Sequence, residues 1–94
     1  MNIELTILYD YYGELLTKKQ QVYFEDYYFN NLSLQEIAEN YSISRNAVYN
    51  SLKEIEKRLI HFESVLKLYE KSKKIEELII DLDDDKQNKI KELI

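Results

Sequence analysis

Residues 33–53, SLQEIAENYSISRNAVYNSLK, carry the pattern of two short helices joined by a tight turn. Ser33 is placed to accept the backbone N–H bonds that open a helix, and Glu36, three positions on, closes a capping box. Ile37, Ala38 and Tyr41 then give that helix one apolar side. The chain turns around Ser42, Ile43 fills the angle between the helices, and Ser44 caps the second one, whose Val48 and Leu52 point back at the first. Ala38 matters most, because two helices crossing steeply need a small side chain where they touch. The pattern is that of a helix-turn-helix. It leaves Arg45, Asn46, Tyr49, Asn50 and Lys53 facing outward on the second helix, where a recognition helix meets base edges. Turns of this kind favour positive φ and hence glycine. Ser42 in that conformation costs roughly 1 kcal/mol, unless Asn40 takes the left-handed position itself.

Working outward, the rest of the chain suits one all-α domain. It has 94 residues, 45% hydrophobic and 33% charged, with one Gly and no Pro, so long helices meet no breakers. Leu5, Leu8, Tyr12, Leu15 and Leu16 predict a first helix over Ile3 to Leu16, with Gly13 marking a close contact with another helix. Thr17 and Gln20 form a second capping box, and Val22, Phe24, Tyr27 and Tyr28 give that helix a bulky side, ended by Asn30-Asn31. From Val48 the apolar positions Leu52, Ile55, Leu59, Phe62, Leu66 and Tyr69 step by 4, 3, 4, 3, 4 and 3. That heptad seam predicts a fourth helix of about 27 residues, roughly 40 Å long at 1.5 Å per residue. Its far half needs a surface to cover Phe62, Leu66, Leu68 and Tyr69: the folded-back tail or a second copy of the chain. A fifth helix is drawn from Ile75 through Leu78, Ile79 and Leu82, and Asp83-Asp84-Asp85 breaks the chain before a last segment bearing Ile90, Leu93 and Ile94. The expected division is a helix-turn-helix domain over 1–74 and a helical tail over 75–94.

Charge restrains the functional reading. The chain is −5 with a pI near 4.9, whereas nucleic-acid-binding domains usually carry a basic footprint. Residues 33–61 set Arg45, Lys53, Lys57 and Arg58 against Glu36, Glu39, Glu54 and Glu56, so the candidate reading head is neutral while both flanks are acidic. Each candidate also has a plainer explanation. Arg45 suits guanine or phosphate, but equally solvation or an ion pair with Glu39. Asn46 and Asn50 suit adenine, yet Asn, Lys, Ile and Tyr are abundant here as in any AT-rich coding sequence. Tyr49 suits base stacking or a protein interface. Lys53, Lys57 and Arg58 suit phosphate, although glutamates alternate with them as on any solvated helix face.

Catalysis finds no footing. His61 is the lone histidine, and Asp81, Asp83, Asp84 and Asp85 lack the Gly and closing Glu of a calcium loop. There is no Gly-rich phosphate loop, no catalytic triad and no Cys, so no enzyme activity, cofactor or metal is expected. The start Met-Asn-Ile-Glu-Leu lacks signal-peptide character and no run reaches membrane-span length, which together with the absence of Cys suits a reducing cytoplasm.

Two resemblances sharpen this. Leu34-Gln-Glu-Ile-Ala-Glu, then Ile43-Ser-Arg-Asn-Ala-Val and Leu52, resembles the promoter-reading C-terminal helix-turn-helix of bacterial sigma factors over about residues 17–60. Over about three quarters of the chain the sequence is similar to the YlxM family of small helix-turn-helix proteins. The matching features are Leu15-Leu16-Thr17-Lys18-Lys19-Gln20, Tyr27-Tyr28, Ser33 to Glu39, Ile43 to Asn50, and the lysine-rich long helix to about Tyr69. The resemblance implies an all-helical, sigma-like bundle with no catalytic residues. It also implies a link to the signal recognition particle pathway, whose GTPase and receptor genes tend to neighbour those of the family. The expectation is a cytoplasmic regulatory protein that contacts DNA or the particle's RNA through Arg45, Asn46, Tyr49, Asn50 and Lys53. The long fourth helix would organise a homodimer. The rival is an adaptor that kept the sigma-like fold and binds protein instead.

Overall fold

The computed structural model describes residues 4–94. Among them the chain forms six α-helices: α1 (Leu5–Tyr12), α2 (Lys18–Tyr28), α3 (Leu34–Tyr41), α4 (Arg45–Leu66), α5 (Leu68–Leu78) and α6 (Asp84–Lys91). The fold is all-α with a long fourth helix, as the periodicity predicts. Helices α1, α2 and α3 pack around α4, with Tyr12 of α1 reaching Phe62 and Glu63 near its C-terminal end, and α5 returns against α1.

The first helix is shorter than its apolar pattern suggests. The expected start at Ile3 lies outside the described residues. At the other end a 3₁₀ turn over Gly13–Leu15 replaces the last α turn. That turn advances each residue by more than an α-helix does, so Leu16 swings inward and Leu15 is left 53% exposed. Gln21 Nε2 donates to the Gly13 and Leu16 carbonyls, at 2.9 and 3.2 Å, so the helix end does not lack partners. Gly13 marks a close approach, but to its own helix: a Cβ there would sit 3.0 Å from the Tyr9 ring.

Both predicted capping boxes form. Thr17 accepts from the Gln20 N–H while Gln20 reaches back to the Thr17 N–H, and Ser33 and Glu36 repeat the arrangement. In α2 the inward residues are Tyr23 and Phe24, with Tyr28 half-buried, whereas Val22 and Tyr27 are exposed. Tyr9, Phe24 and Tyr28 form one stack with successive centroids 4.4 Å apart. The hydroxyls at its two ends donate to Glu25 at 2.6 Å and Glu56 at 3.1 Å. Several of the tyrosines that base composition alone would explain are therefore structural. Asn31 takes a left-handed conformation, φ 55°, to leave α2.

The predicted 27-residue helix does not form. Helix α4 has 22 residues and stops at Leu66, and Lys67 takes a left-handed conformation (φ 56°, ψ 32°) from which α5 starts at once. The fifth helix thus begins at Leu68, not Ile75, and ends before Leu82. The cause is a buried polar cluster. Glu63, 3% exposed, accepts the Tyr12 hydroxyl at 2.5 Å and the N–H groups of Tyr69 and Glu70 at 3.1 and 3.2 Å. Tyr12 in turn accepts the Leu68 N–H at 3.0 Å. One carboxylate and one phenol therefore satisfy three of the free N–H groups that open α5. The far part of the seam is covered only in part by its own chain: Phe62 packs against Tyr12 at 5.9 Å and Tyr69 against Tyr11 at 6.1 Å, while Leu66 and Leu68 remain exposed. After a turn, Asp83 caps α6 by accepting from the Lys86 N–H at 2.9 Å, so the aspartate run does break the chain.

Candidate nucleic-acid interface

The two helices of the motif are fixed by local chemistry first. Ser42 takes the left-handed position, φ 55°, and Asn40 stays helical. The Ser42 N–H and the Ile43 N–H close the end of α3 onto Ala38 and Glu39 carbonyls, as a Schellman-type stop requires. Ser44 then accepts from the Ala47 N–H at 3.0 Å to start α4. Ile37, Ala38, Val48 and Leu52 are buried where the helices cross, with Ile43 half-buried against them. Tyr41 is more exposed than its place in the apolar stripe implies. Its ring meets the edge of Tyr23 at 5.2 Å, and its hydroxyl donates to Asp26 at 2.9 Å, which raises its pKa.

With the apolar side of α4 committed to the core, Arg45, Asn46, Tyr49, Asn50 and Lys53 all stand exposed along its opposite side. Lys53 Nζ lies 5.4 Å over the Tyr49 ring and 3.5 Å from Glu56, so this cation is partly occupied. Glu39, the candidate ion-pair partner of Arg45, instead accepts from Gln35 Nε2 at 3.1 Å. Arg45, Asn46 and Asn50 make no side-chain hydrogen bond or ion pair among the described residues. Of the further basic candidates, Lys57 is exposed, while Arg58 lies 5.7 Å over Phe62.

Two neighbours of this surface were not legible in the spacing of the motif. A groove of 310 Å³ runs between Lys19, Gln20 and Tyr23 of α2 and Asn50, Ser51 and Glu54 of α4. A second, of 370 Å³, continues past Lys18, Lys19 and Val22 to Tyr41 and Ile43. Lys19 therefore shares a groove with Asn50 on the front of α4, 31 residues on in sequence, and Lys18 lies beside it near Tyr41 and Ile43 of the motif. The exposed side of α3 presents Glu36 and Glu39. Among the described residues no group of three or more His, Cys, Asp or Glu side chains could hold a metal ion, and no helix is long and apolar enough to cross a membrane.

A capped helix pair locked around Ile37, Ala38, Val48 and Leu52, with the front of the second helix uncovered, defines a helix-turn-helix protein. Residues 1–94 match the family described as "UPF0122: Putative helix-turn-helix protein, YlxM / p13 like", and the chain belongs to that family. The chain is 52% identical over 75 residues to a UPF0122 protein of Clostridium kluyveri, covering 80% of this chain and 68% of that one. A UPF0122 protein of Fusobacterium nucleatum is 40% identical over 83 residues, covering 88% and 81% respectively. A third, from Malacoplasma penetrans, is 48% identical over 64 residues, covering 68% and 60%. This is a family of helix-turn-helix proteins and not of enzymes.

Proposed function

We propose that this protein is a non-enzymatic, cytoplasmic regulator that binds nucleic acid as a homodimer. The target is DNA or the RNA of the signal recognition particle, within that particle's pathway. In this reading residues 1–74, including the long fourth helix, form the helix-turn-helix domain and residues 75–94 a helical tail. The observation that supports it is the state of α4: Val48 and Leu52 are buried, while Arg45, Asn46, Tyr49, Asn50 and Lys53 are exposed. Arg45 would clamp phosphate or pair with guanine, Asn46 and Asn50 would read base edges, Tyr49 would stack, and Lys53 would neutralise phosphate.

The net charge of −5 favours a second reading, an adaptor that binds a GTPase or polymerase subunit through the same fold. Salt separates the two. Fluorescence anisotropy against duplex DNA and against the particle's RNA, between about 50 and 200 mM salt, should show affinity falling steeply with ionic strength. Arg45→Ala and Lys53→Ala should each flatten the log–log slope by roughly 1. Binding to neither nucleic acid, with salt-insensitive capture of a protein partner, would overturn the nucleic-acid reading in favour of the adaptor.

A further inference from the structure

We propose that the nucleic-acid surface continues off the front of α4 as a phosphate track that holds the backbone of one strand. Lys18 and Lys19 of α2 form it together with Lys57 and Arg58 of α4. This deepens the reading above and rests on it.

The track is a run of three grooves joined by shared residues. The groove beside Tyr41 and Ile43 joins, through Lys19 and Tyr23, the one that reaches Asn50. That groove joins, through Glu54, a third of 340 Å³ lined by Lys57, Arg58, His61 and Phe62. Lys19 lies 5.8 Å over the Tyr23 ring and Arg58 5.7 Å over Phe62, so ring walls steady two of the four cations. None of the four enters either ion pair found among the described residues. Asn50 belongs both to this run and to the front of α4. A strand whose bases meet that front therefore has its phosphates beside the cations. From Asn50 to His61 the track follows α4 for about 16 Å at 1.5 Å per residue. At one phosphate per ~3.4 Å of axis along each strand, that length faces several phosphates.

The acids are sorted away from it. Helices α2 and α4 carry five carboxylates. Four of them, Glu25, Asp26, Glu56 and Glu63, each accept a tyrosine hydroxyl and line none of the three grooves. Among the described residues Glu54 is the one acid in the run. Other concave surfaces lack this bias. Asp10 and Glu14 line the groove beside Tyr9 with no cation, and along α5 three lysines share a groove with three glutamates. The exposed side of α3, with Glu36 and Glu39, repels a backbone. In a chain of net charge −5, the strand is thereby assigned to the α2 side of α4.

The test is binding of the full chain to a random-sequence DNA duplex and to a random-sequence RNA duplex, followed by fluorescence anisotropy across a salt series. The variants Lys18→Gln/Lys19→Gln and Lys57→Gln/Arg58→Gln remove charge from the track and keep most of each stem. Lys71→Gln/Lys74→Gln on α5 removes as much charge outside it, and far-UV circular dichroism checks that the helices persist. Each track variant is expected to flatten the log–log salt slope by about 2 and to weaken binding by about tenfold or more, while the α5 variant matches the wild type. Glu54→Gln is expected to tighten binding, and the duplex that the wild type holds more tightly identifies the strand. A steep wild-type salt dependence that all three double variants reduce equally, or not at all, overturns the track and leaves the nucleic-acid reading standing. A wild type that binds neither duplex overturns both.

Discussion

Glu63→Ala removes a carboxylate that accepts hydrogen bonds from the Tyr12 hydroxyl and from the N–H groups of Tyr69 and Glu70. Losing the cap of α5 costs about 1 kcal/mol, within the usual range of roughly 0.5–2 kcal/mol. The Tyr12 hydroxyl, on a fully buried residue, still accepts from Leu68 but has nothing left to donate to, a further ~1–3 kcal/mol. Together the expected loss is about 3 kcal/mol, a large share of the ~5–15 kcal/mol that stabilises a domain of this kind. Urea unfolding followed by circular dichroism measures it. With a denaturant dependence of ~1–3 kcal/mol per molar, the midpoint should fall by about 1.5 M. Glu63→Gln keeps one acceptor oxygen of the same shape and should lose roughly half as much. Tyr12→Phe combined with Glu63→Gln should cost less than the two single losses added, with a coupling of at least ~1 kcal/mol, because the groups act as a unit. A Glu63→Ala protein that loses less than about 1 kcal/mol and gains helix content would refute this reasoning. It would mean that α4 and α5 run straight through Lys67 without the buried cluster.

Three further outcomes are expected. Ser42→Gly should stabilise by up to about 1 kcal/mol in the same unfolding assay, since Ser42 holds φ 55°; Asn31→Gly, at the same φ, should change little because Asn tolerates that region. Gly13→Ala should destabilise by about 1–2 kcal/mol despite alanine's better helix propensity, because the Tyr9 ring 3.0 Å away is held by Phe24 and Glu25 and cannot retreat; a gain in stability would show that it can. Alkali should unfold the protein over a defined window. Burial, then the hydrogen bond to Glu63, pushes Tyr12 up to about 12, and burial, then the Glu56 charge, pushes Tyr28 up to about 12. The folded state therefore favours the protonated phenols, so their contribution is complete below the unfolded value of 10.0 and is lost as pH rises through about 12. The urea midpoint should hold steady up to about pH 9.5 and then fall, and a rise across that window would contradict the assignment.

The family resemblance and the candidate side chains are both legible in the sequence, for a common reason. Capping boxes, the Ser44 cap and the four-residue spacing of Ile37 and Tyr41 and of Val48 and Leu52 all operate within about four residues. Sequence displays such short-range rules directly. The same rules place Arg45, Asn46, Tyr49, Asn50 and Lys53 on one side of α4, and they are exposed there.

Where those rules failed, a partner far along the chain had overridden them. Nothing near Lys67 forbids a helix, and the apolar seam runs through it without a fault. Only tertiary structure brings Tyr12, 51 residues from Glu63, to the point where the two can cap α5 and hold the bend. In the same way it sets Lys19 beside Asn50 on the front of α4, and it tucks Leu16 inward while Leu15 turns out. By itself the sequence determined which segments are helical, how most of them start and which side of each is apolar, because those choices are made by neighbours. The bend in the long helix and the company around its exposed front were decided by tertiary structure, because buried hydrogen bonds between distant residues outweigh a local preference of about 1 kcal/mol.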